Sequence, residues 1–407
     1  MAKQRIDQNG RRDFFKKAGI TTAGLMLVKP ESILGAPANS KITLGIIGSG
    51  GRGFFVGKKF IDNVGNDIQI VAAHDYFADR LERVQNNFNI EKSRTHTGLY
   101  GYREILHSNV DAVIITTPPY FHPEQAAEAV NAGKHVWLAK PVAVDVPGCL
   151  SIKETGKKAA GKTAFLVDFQ SRNSPFFVEA AKRVHEGVIG EIITAESYNL
   201  FPRYGKIDTS GLPENWVRLR NYPTDPVLSG DFVVDQAVHA MDIVNWFMGA
   251  NPVRAFGSGG LKARLNLGKN WDHFIILFWY PNGAKVELNA SQFMKGYEKL
   301  GAAFFGNNGV CNAHYRGKEW GQGSVSITGD HAWEGTPFDN TWDIGVDNNC
   351  KDFVAALRSG KYMNCADYAA DSAMTCVLGR QAGYEERVVT WDEILKKNEK
   401  LELNIKL

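Results

Sequence analysis

The sequence predicts an α/β protein, with an N-terminal Rossmann dinucleotide-binding domain and a C-terminal α+β domain that contains an open, mainly antiparallel β-sheet. Three observations support this fold class. A glycine-rich turn near residue 48 joins an apolar strand to a helix. Apolar runs and helical segments then alternate as far as residue 170. After that point, short β-rich runs separated by turn residues dominate the chain.

Bulk composition limits the classes of function. At 407 residues the chain is long for one domain, and its 44% hydrophobic and 22% charged content is that of an ordinary globular protein. The net charge of +3 is too small to indicate a nucleic-acid partner, and no apolar run is long enough to cross a bilayer. No metal-binding spacing is found among the five cysteines, which are Cys149, Cys311, Cys350, Cys365 and Cys376.

Residues 1–38 are predicted to be an export signal. The stretch from Arg11 to Lys16, "RRDFFK", resembles the twin-arginine signal, and Ala36-Pro37-Ala38 supplies small residues for cleavage. Paired arginines before an ordinary helix are the alternative. From this signal we expect a periplasmic or otherwise exported protein with no other membrane contact. Because twin-arginine transport moves folded proteins, often with a cofactor inside, the protein could be exported with its cofactor bound.

The first strand, turn and helix carry a dinucleotide-binding motif. In "KITLGIIGSGGRGFFVGKKF", Gly48, Gly50 and Gly53 form GxGxxG, which lets the backbone approach a pyrophosphate at a helix N-terminus. Asp75 ends the next strand, 22 residues beyond Gly53, where a carboxylate would hold the adenosine ribose. An acid there repels a 2′-phosphate, so NAD is favoured over NADP. Arg80, which could accept that phosphate, is the reservation.

Strands and helices continue to alternate through "VDAVIITTPP", "EQAAEAVNAG", "KHVWLAKP", "GCLSIKETGKKA" and "TAFLVDFQ". This order indicates right-handed βαβ units and a parallel sheet. It places the NAD-binding domain at residues 39–168 and the substrate-binding domain at residues 169–407. Loops at the carboxyl ends of the strands would border the nicotinamide, and they carry Thr117, Pro118, His122 and Lys140. For His122 a structural role in its loop is the alternative.

The stretch "SGDFVVDQAVHAMD", residues 229–242, concentrates acids around one histidine. If the stretch is helical, Asp231, Asp235, His239 and Asp242 follow each other at i, i+4, i+8 and i+11, on one face. Such a face can bind a metal, move a proton or simply contact water. No second segment of metal ligands stands out, and a water-facing stripe seldom carries a single histidine among acids without lysines. We therefore favour proton transfer and expect no metal.

These features together resemble the glucose–fructose oxidoreductase / inositol dehydrogenase / rhizopine-catabolism (Gfo/Idh/MocA) family, over residues 41–395. The resemblance rests on the Rossmann half, the "LAKP" at the end of a later strand, the DxxxH segment and the antiparallel sheet. By position it implies that Lys140 lies beside the nicotinamide. It further implies that Asp235 and His239 lie at the reacting carbon, with Asp242 as the following acid.

The sequence also departs from the family motifs. Ala139 stands where the family has glutamate before the lysine, and Ser229 and Asp231 replace glycines of the later motif. The loss of the acid at position 139 changes the expected environment of Lys140 but not its position. The later motif resembles a branch of the family that is common in bacterial sugar-degradation loci.

The resemblance implies NAD-linked oxidation or reduction of a secondary hydroxyl on a sugar, glycoside or cyclitol. In that chemistry His239 is the general base, Asp235 orients it or binds a substrate hydroxyl, and Lys140 stabilises the developing alkoxide. One alternative is a redox-neutral glycosidase, lyase or epimerase that works through a transient keto sugar with tightly bound NAD. Another is a sugar-binding module without catalysis. The expected partners are a small carbohydrate and further copies of the chain, paired through the open sheet.

Four residues, besides Asp242, are candidates for binding the substrate. Arg172 and Asn173 follow the last Rossmann strand, where a domain-joining salt bridge is the alternative. Trp216 and Arg218 belong to an aromatic–basic stretch on which a sugar ring could stack. The alternative for that stretch is one face of an extended segment.

Overall fold

The computed structural model describes residues 40–202, 209–265, 267–317, 324–335 and 341–405. The predicted export signal at residues 1–38, with its paired Arg11 and Arg12, lies outside the described residues and stays a prediction. Within those ranges, no helix is both long and apolar enough to span a membrane.

The first domain is built on a parallel sheet, as predicted. Its strands are β1 (Ile42–Ile47), β2 (Ile68–Asp75), β3 (Thr95–Thr97), β4 (Ala112–Ile115), β5 (His135–Leu138) and β6 (Phe165–Val167). Its helices are α1 (Gly51–Val64), α2 (Ala78–Phe88), α3 (Tyr102–His107), α4 (His122–Asn131) and α5 (Val146–Ala159). The strand order is β3-β2-β1-β4-β5-β6, so the chain reverses direction across the sheet between β1 and β4, where dinucleotides bind in this fold.

Among the described residues, the second domain holds a nine-stranded sheet. Its helices are α6 (Pro175–His185), α7 (Glu214–Arg220), α8 (Pro226–Ser229), α9 (Phe232–Asp235), α10 (Val238–Met248), α11 (Thr341–Ser359), α12 (Ala366–Glu385) and α13 (Trp391–Lys397). Its strands are β7 (Ile192–Pro202), β8 (Arg254–Gly260), β9 (His273–Trp279), β10 (Lys285–Met294), β11 (Lys299–Gly306), β12 (Gly309–Gly317), β13 (Val325–Gly329), β14 (Trp333–Glu334) and β15 (Val389–Thr390).

The order in this sheet is β14-β13-β12-β11-β7-β10-β9-β8-β15. The pair β7–β10 is parallel and the other pairs are antiparallel, which confirms the prediction of a mainly antiparallel sheet. β7 and β12 were not predicted from the sequence, because polar residues interrupt their apolar runs. In β7 buried and exposed positions nevertheless alternate, as they do in a strand with one solvated face.

Part of the C-terminal sequence returns to the first domain. Phe353 of α11 packs edge-on against Phe60 of α1, with ring centroids 6.1 Å apart. The ring of Tyr362 packs against His135 in β5 at 4.8 Å. The segment predicted for the second domain, residues 169–407, therefore contains a helix whose apolar side chains belong to the core of the first.

The segment from Asp231 to Asp242 is not one helix, and the prediction that its four polar side chains share one helical face is wrong. A two-residue turn separates α9 from α10, and both main-chain N–H groups of this turn bond the carbonyl oxygen of Phe232. Asp231 precedes α9 with a φ of +68° and caps it through its side chain. The break changes the direction of the side chains, so the four polar residues reach separate environments.

Candidate active site

The glycine-rich turn between β1 and α1 has the geometry that its motif requires. Gly48 has a φ of +92°, and a Cβ there would lie 2.7 Å from the main-chain nitrogen of Thr117. A Cβ at Gly53 would lie 2.0 Å from the carbonyl oxygen of Gly48, so only glycine allows this packing. Gly50 precedes α1, whose N-terminus has no side-chain cap. The first N–H groups of the helix can therefore bind the pyrophosphate of a dinucleotide, and the geometry of the turn is suited to that ligand.

Asp75 lies at the end of β2, beside the turn. Its carboxylate accepts hydrogen bonds from the main-chain nitrogens of Ser49, at 2.8 Å, and Phe77, at 2.9 Å. The guanidinium of Arg80 is 3.8 Å from the same carboxylate and lies over the Phe77 ring. Burial raises the pKa of Asp75. Both Asp75 and Arg80 line the cleft at the side where the sequence predicts the adenosine ribose.

The cleft above the turn has a volume of about 300 Å³, and Thr117 and Pro118 line it. His122 is not among the described residues that line this cleft. Its ring nitrogens lie 2.8 Å from the carbonyl oxygens of Pro141 and Thr117, and burial lowers its pKa to about 4. His122 therefore braces the two loops that follow β4 and β5, which is the structural alternative for this residue.

A smaller chamber of about 170 Å³ adjoins the cleft, and Lys140 and Asp235 both line it. The ammonium group of Lys140 donates to the main-chain oxygen of Asp235 at 2.5 Å. The carboxylate of Asp235 accepts from the side-chain amide of Gln236 at 3.0 Å. Burial lowers the pKa of Lys140, and the negative charge of Asp235 opposes that shift. The structure thus brings together two of the three residues predicted to be catalytic.

His239, the third of them, is buried at the start of α10, with 5% of its surface exposed. Its ring stacks on that of Tyr315 at 5.7 Å and meets the Phe169 ring edge-on at 6.3 Å. Burial, and then the positive charge of Lys140, hold the pKa of His239 well below its usual value. The imidazole is therefore neutral near pH 7 and has a lone pair that can accept a proton.

Two charged residues of the chamber were missed by the sequence reasoning. Arg52 forms an ion pair with Asp168, and both line the chamber. The other carboxylate oxygen of Asp168 accepts from Asn349 of α11 at 2.7 Å, and its main-chain oxygen accepts from Gln170 at 2.9 Å. Arg52 lies inside the GxGxxG motif and Asp168 directly follows the last Rossmann strand. These two positions, at the carboxyl ends of Rossmann strands, could have identified both residues as candidates for the site.

Arg172 and Asp242, both predicted to bind substrate, bind each other. The Arg172 guanidinium donates to both oxygens of the Asp242 carboxylate, at 2.9 to 3.1 Å, and Ser372 of α12 donates to the same carboxylate at 2.8 Å. Asn173 donates to Asn349 at 2.6 Å. Arg172 and Asp242 thus form the salt bridge that was the alternative for Arg172. It joins the turn after β6 to α10.

Trp216 and Arg218 lie on α7, so the alternative of an extended segment is wrong. The Trp216 ring packs edge-on against Tyr76 at 5.9 Å and Phe77 at 5.4 Å, beside the adenosine side of the cleft. Arg218 pairs with Asp225 at 2.6 Å. Neither is among the described residues that line the chamber. Trp216 instead borders an open, aromatic-lined cavity of about 820 Å³ that adjoins the cleft.

Asp231 also lies apart from the chamber. Its carboxylate accepts from the hydroxyl of Tyr384 and from the main-chain nitrogen of Trp271, and burial raises its pKa to about 6. It ties α9 to α12 and to the start of β9. Among the residues that the structure describes, no group of three or more His, Cys, Asp or Glu side chains is arranged to hold a metal ion.

Two family models match the chain. The model described as "Oxidoreductase family, NAD-binding Rossmann fold" covers residues 42–167, and the "GFO/IDH/MocA C-terminal domain" covers residues 177–312. Among curated proteins, glycosyl hydrolase family 109 protein 1 of Shewanella sp. (strain MR-4) is 29% identical in an alignment of 208 residues that covers 46% of this chain and 45% of that protein. The chain thus spans about half the length of such curated relatives.

Solved structures show the same fold. Myo-inositol 2-dehydrogenase from Lactobacillus plantarum superposes with a TM-score of 0.69 at 22% identity, over 86% of this chain and 99% of that one. Scyllo-inositol dehydrogenase from Lactobacillus casei, solved with NAD(H) and scyllo-inositol, superposes with a TM-score of 0.68 at 19% identity, over 87% of this chain and 100% of that one. With its glycine-rich turn, its two sheets and the two matching family models, the chain belongs to the GFO/IDH/MocA oxidoreductase family and carries an NAD-binding Rossmann domain.

Proposed function

We propose that this protein is an exported oxidoreductase that uses NAD to oxidise or reduce a secondary hydroxyl of a sugar, glycoside or cyclitol. The observation that carries the proposal is the chamber beside the dinucleotide cleft. Lys140 and Asp235 line it, and the neutral His239 is buried nearby on α10. Bound NAD supplies the hydride acceptor; the chain supplies the groups that hold the substrate and move its proton.

Each of the three residues has a distinct task in this proposal. His239 accepts the hydroxyl proton, for which its neutral ring is suited. Lys140 places a positive charge where the oxygen becomes negative, and in a buried chamber such a charge acts more strongly than in water. The carboxylate of Asp235 accepts a hydrogen bond from a further substrate hydroxyl and so fixes the orientation of the ring.

A second candidate is a redox-neutral reaction, in which NAD oxidises a glycoside and is regenerated after the glycosidic bond is cleaved. The similarity to a protein named for glycosyl hydrolase family 109 favours it. Export favours it as well, since free NAD is scarce outside the cytoplasm and a resident cofactor must be recycled in place.

We further propose that the protein forms homo-oligomers through the outer face of its second sheet. Phe256 of β8 and Ile275 of β9 are 42% and 48% exposed there. Apolar side chains on an open sheet face are typical of an interface. Ile275→Glu should lower the molar mass measured by light scattering; an unchanged mass would remove this proposal.

Purification without added cofactor, followed by addition of a panel of sugars, cyclitols and glycosides, tests the proposed reactions. A lasting rise in the absorbance of reduced nicotinamide supports net oxidation. Cleavage of a glycoside with no lasting rise, together with exchange of its ring hydrogen with solvent, supports the redox-neutral reaction. If neither signal appears for any member of the panel, and each still binds, the sugar-binding module becomes the better description.

A further inference from the structure

The side chain of Arg52 crosses the carboxyl end of the first sheet. Arg52 is in the first turn of α1, directly after the glycine-rich turn, and its ion-pair partner Asp168 directly follows β6 at the edge of the sheet. The ends of β4 and β5 lie between them. Asp168 is fully buried, whereas 26% of the Arg52 side chain remains exposed.

This ion pair lies at one defined end of the cofactor cleft. A dinucleotide in a doubly wound sheet lies across the carboxyl ends of the strands. Asp75, at the end of β2, marks the adenosine half. The nicotinamide half of a bound dinucleotide would therefore lie over the ends of β4, β5 and β6, where Arg52, Lys140 and Asp168 line the chamber.

Cations and carboxylates are equal in number at this end. Two cations, Arg52 and Lys140, and two carboxylates, Asp168 and Asp235, line the chamber. Asn349 donates a hydrogen bond of 2.7 Å to Asp168, which holds that carboxylate in place. The positive charge of Arg52 also contributes to the lowered pKa of His239, after burial and Lys140.

The two redox states of the cofactor respond differently to such charges. The oxidised nicotinamide ring carries a positive charge, and the reduced ring is neutral. A nearby cation therefore disfavours the oxidised form, and a nearby carboxylate favours it. We propose that the Arg52–Asp168 pair sets the relative affinity of this protein for oxidised and reduced dinucleotide, with Asp168 masking the charge of Arg52 so that the oxidised form is retained.

The proposal makes Arg52 and Asp168 positioning residues for the cofactor. It rests on the nicotinamide placement used in the proposed function but needs no substrate. A reduction potential therefore tests it separately: the potential can respond to Asp168 while every sugar fails to react, or stay constant in a protein that oxidises sugars well.

The experiment is a redox titration of the bound dinucleotide in the purified protein. Asp168→Asn keeps an acceptor for Asn349 but leaves Arg52 unmasked. We expect the preference for the reduced form to increase roughly tenfold, which raises the midpoint potential by about 30 mV for a two-electron couple. Arg52→Met should shift the potential in the opposite direction, because the carboxylate then acts unopposed. The double variant should return toward the unmodified value.

Lys59→Met is the matched control. Lys59 also lies on α1 and pairs with acids of α11, Asp343 at 3.1 Å and Asp347 at 3.0 Å, but it does not line the chamber. Its removal should leave the potential unchanged. A potential in Asp168→Asn that is lowered, or no different from that of Lys59→Met, overturns the proposal. If Asp168→Asn does not fold, Arg52→Met decides alone: a midpoint potential that is unchanged or raised in that variant also overturns the proposal.

Discussion

Lys140 donates a hydrogen bond from its buried ammonium group to the main-chain oxygen of Asp235 over 2.5 Å. The bond connects the loop after β5 to the end of α9, and so joins the NAD-binding domain to the substrate-binding domain at the chamber. A carbonyl oxygen adds no formal charge, so this contact fixes the ammonium in position without neutralising it. An oxygen that becomes negative in the chamber would meet a fixed cation.

Removing that cation should slow hydride transfer. Lys140→Met is expected to reduce the rate by about two to three orders of magnitude, the range typical of losing one group that stabilises a developing oxyanion. NAD affinity should change little. The measurement is single-turnover reduction of bound NAD, with and without a chelator. Lys140→Arg is the matched variant that retains the charge. A normal rate in Lys140→Met, or a loss caused by chelator alone, would contradict the assignment.

The pH dependence should reflect the buried position of His239. Because burial lowers the pKa of His239 well below 6.5, the acid limb of the rate should be centred well below that pH. Activity should be lost only at lower pH, as the imidazole is protonated. On the alkaline side, the lowered pKa of Lys140 predicts a decline that begins below pH 10.5. An acid limb centred at pH 6.5 would indicate a solvent-exposed base instead.

His239→Ala tests the role of the base more directly. It should remove about two to four orders of magnitude of rate at pH 7 and abolish the acid limb. Asp235→Asn should weaken substrate binding and leave the acid limb of the pH profile largely unchanged. Near-normal hydride transfer in His239→Ala would defeat the proposed role of this residue.

The sequence predicted the parts of the site that follow from local patterns. A strand, a glycine turn and a helix specify the cofactor turn, and the alternation of strands and helices specifies the parallel sheet. The ion pair Arg52–Asp168 and the partner of Arg172 in its salt bridge could not be predicted in this way, because each pair joins residues that are 70 or more positions apart. The prediction of one continuous helical face was also wrong between α9 and α10, because a two-residue turn interrupts the helix there.

The preference for NAD should depend on Asp75. Asp75→Asn keeps one of the two acceptors that bind the main-chain nitrogens of Ser49 and Phe77, and it removes the charge that repels a 2′-phosphate. It also releases Arg80, which lies 3.8 Å from this carboxylate. We expect NADP to gain roughly tenfold in affinity relative to NAD. Titration of cofactor-free protein with both dinucleotides measures this ratio. Asp62→Asn, at an exposed acid of α1, should not change it, and tighter NADP binding by the unmodified protein would refute the NAD preference.

Export should depend on the paired arginines of the N-terminal region. Replacing Arg11 and Arg12 by lysine keeps the charge but removes the pair that the twin-arginine signal requires. The precursor should then accumulate in the cytoplasm with an unchanged unfolding transition. Fractionation of cells followed by immunoblotting measures the distribution. Normal export of this variant would leave only a general secretion signal.

The pair Arg172–Asp242 should matter for stability more than for substrate binding. Asp242 is fully buried, and the Arg172 guanidinium also lies over the ring of Tyr368 at 3.9 Å. Asp242→Asn leaves that guanidinium without its counter-charge, and losing one partner of a buried pair typically costs about 3 to 5 kcal/mol. Arg172→Met should cost a similar amount. The double variant Arg172→Met/Asp242→Leu should lose less than the sum of the two, because neither charge is then left alone.

Chemical denaturation measures these free energies, and substrate titration of the folded variants separates the two roles. If substrate affinity falls while stability is kept, the two residues bind substrate, as the sequence first suggested.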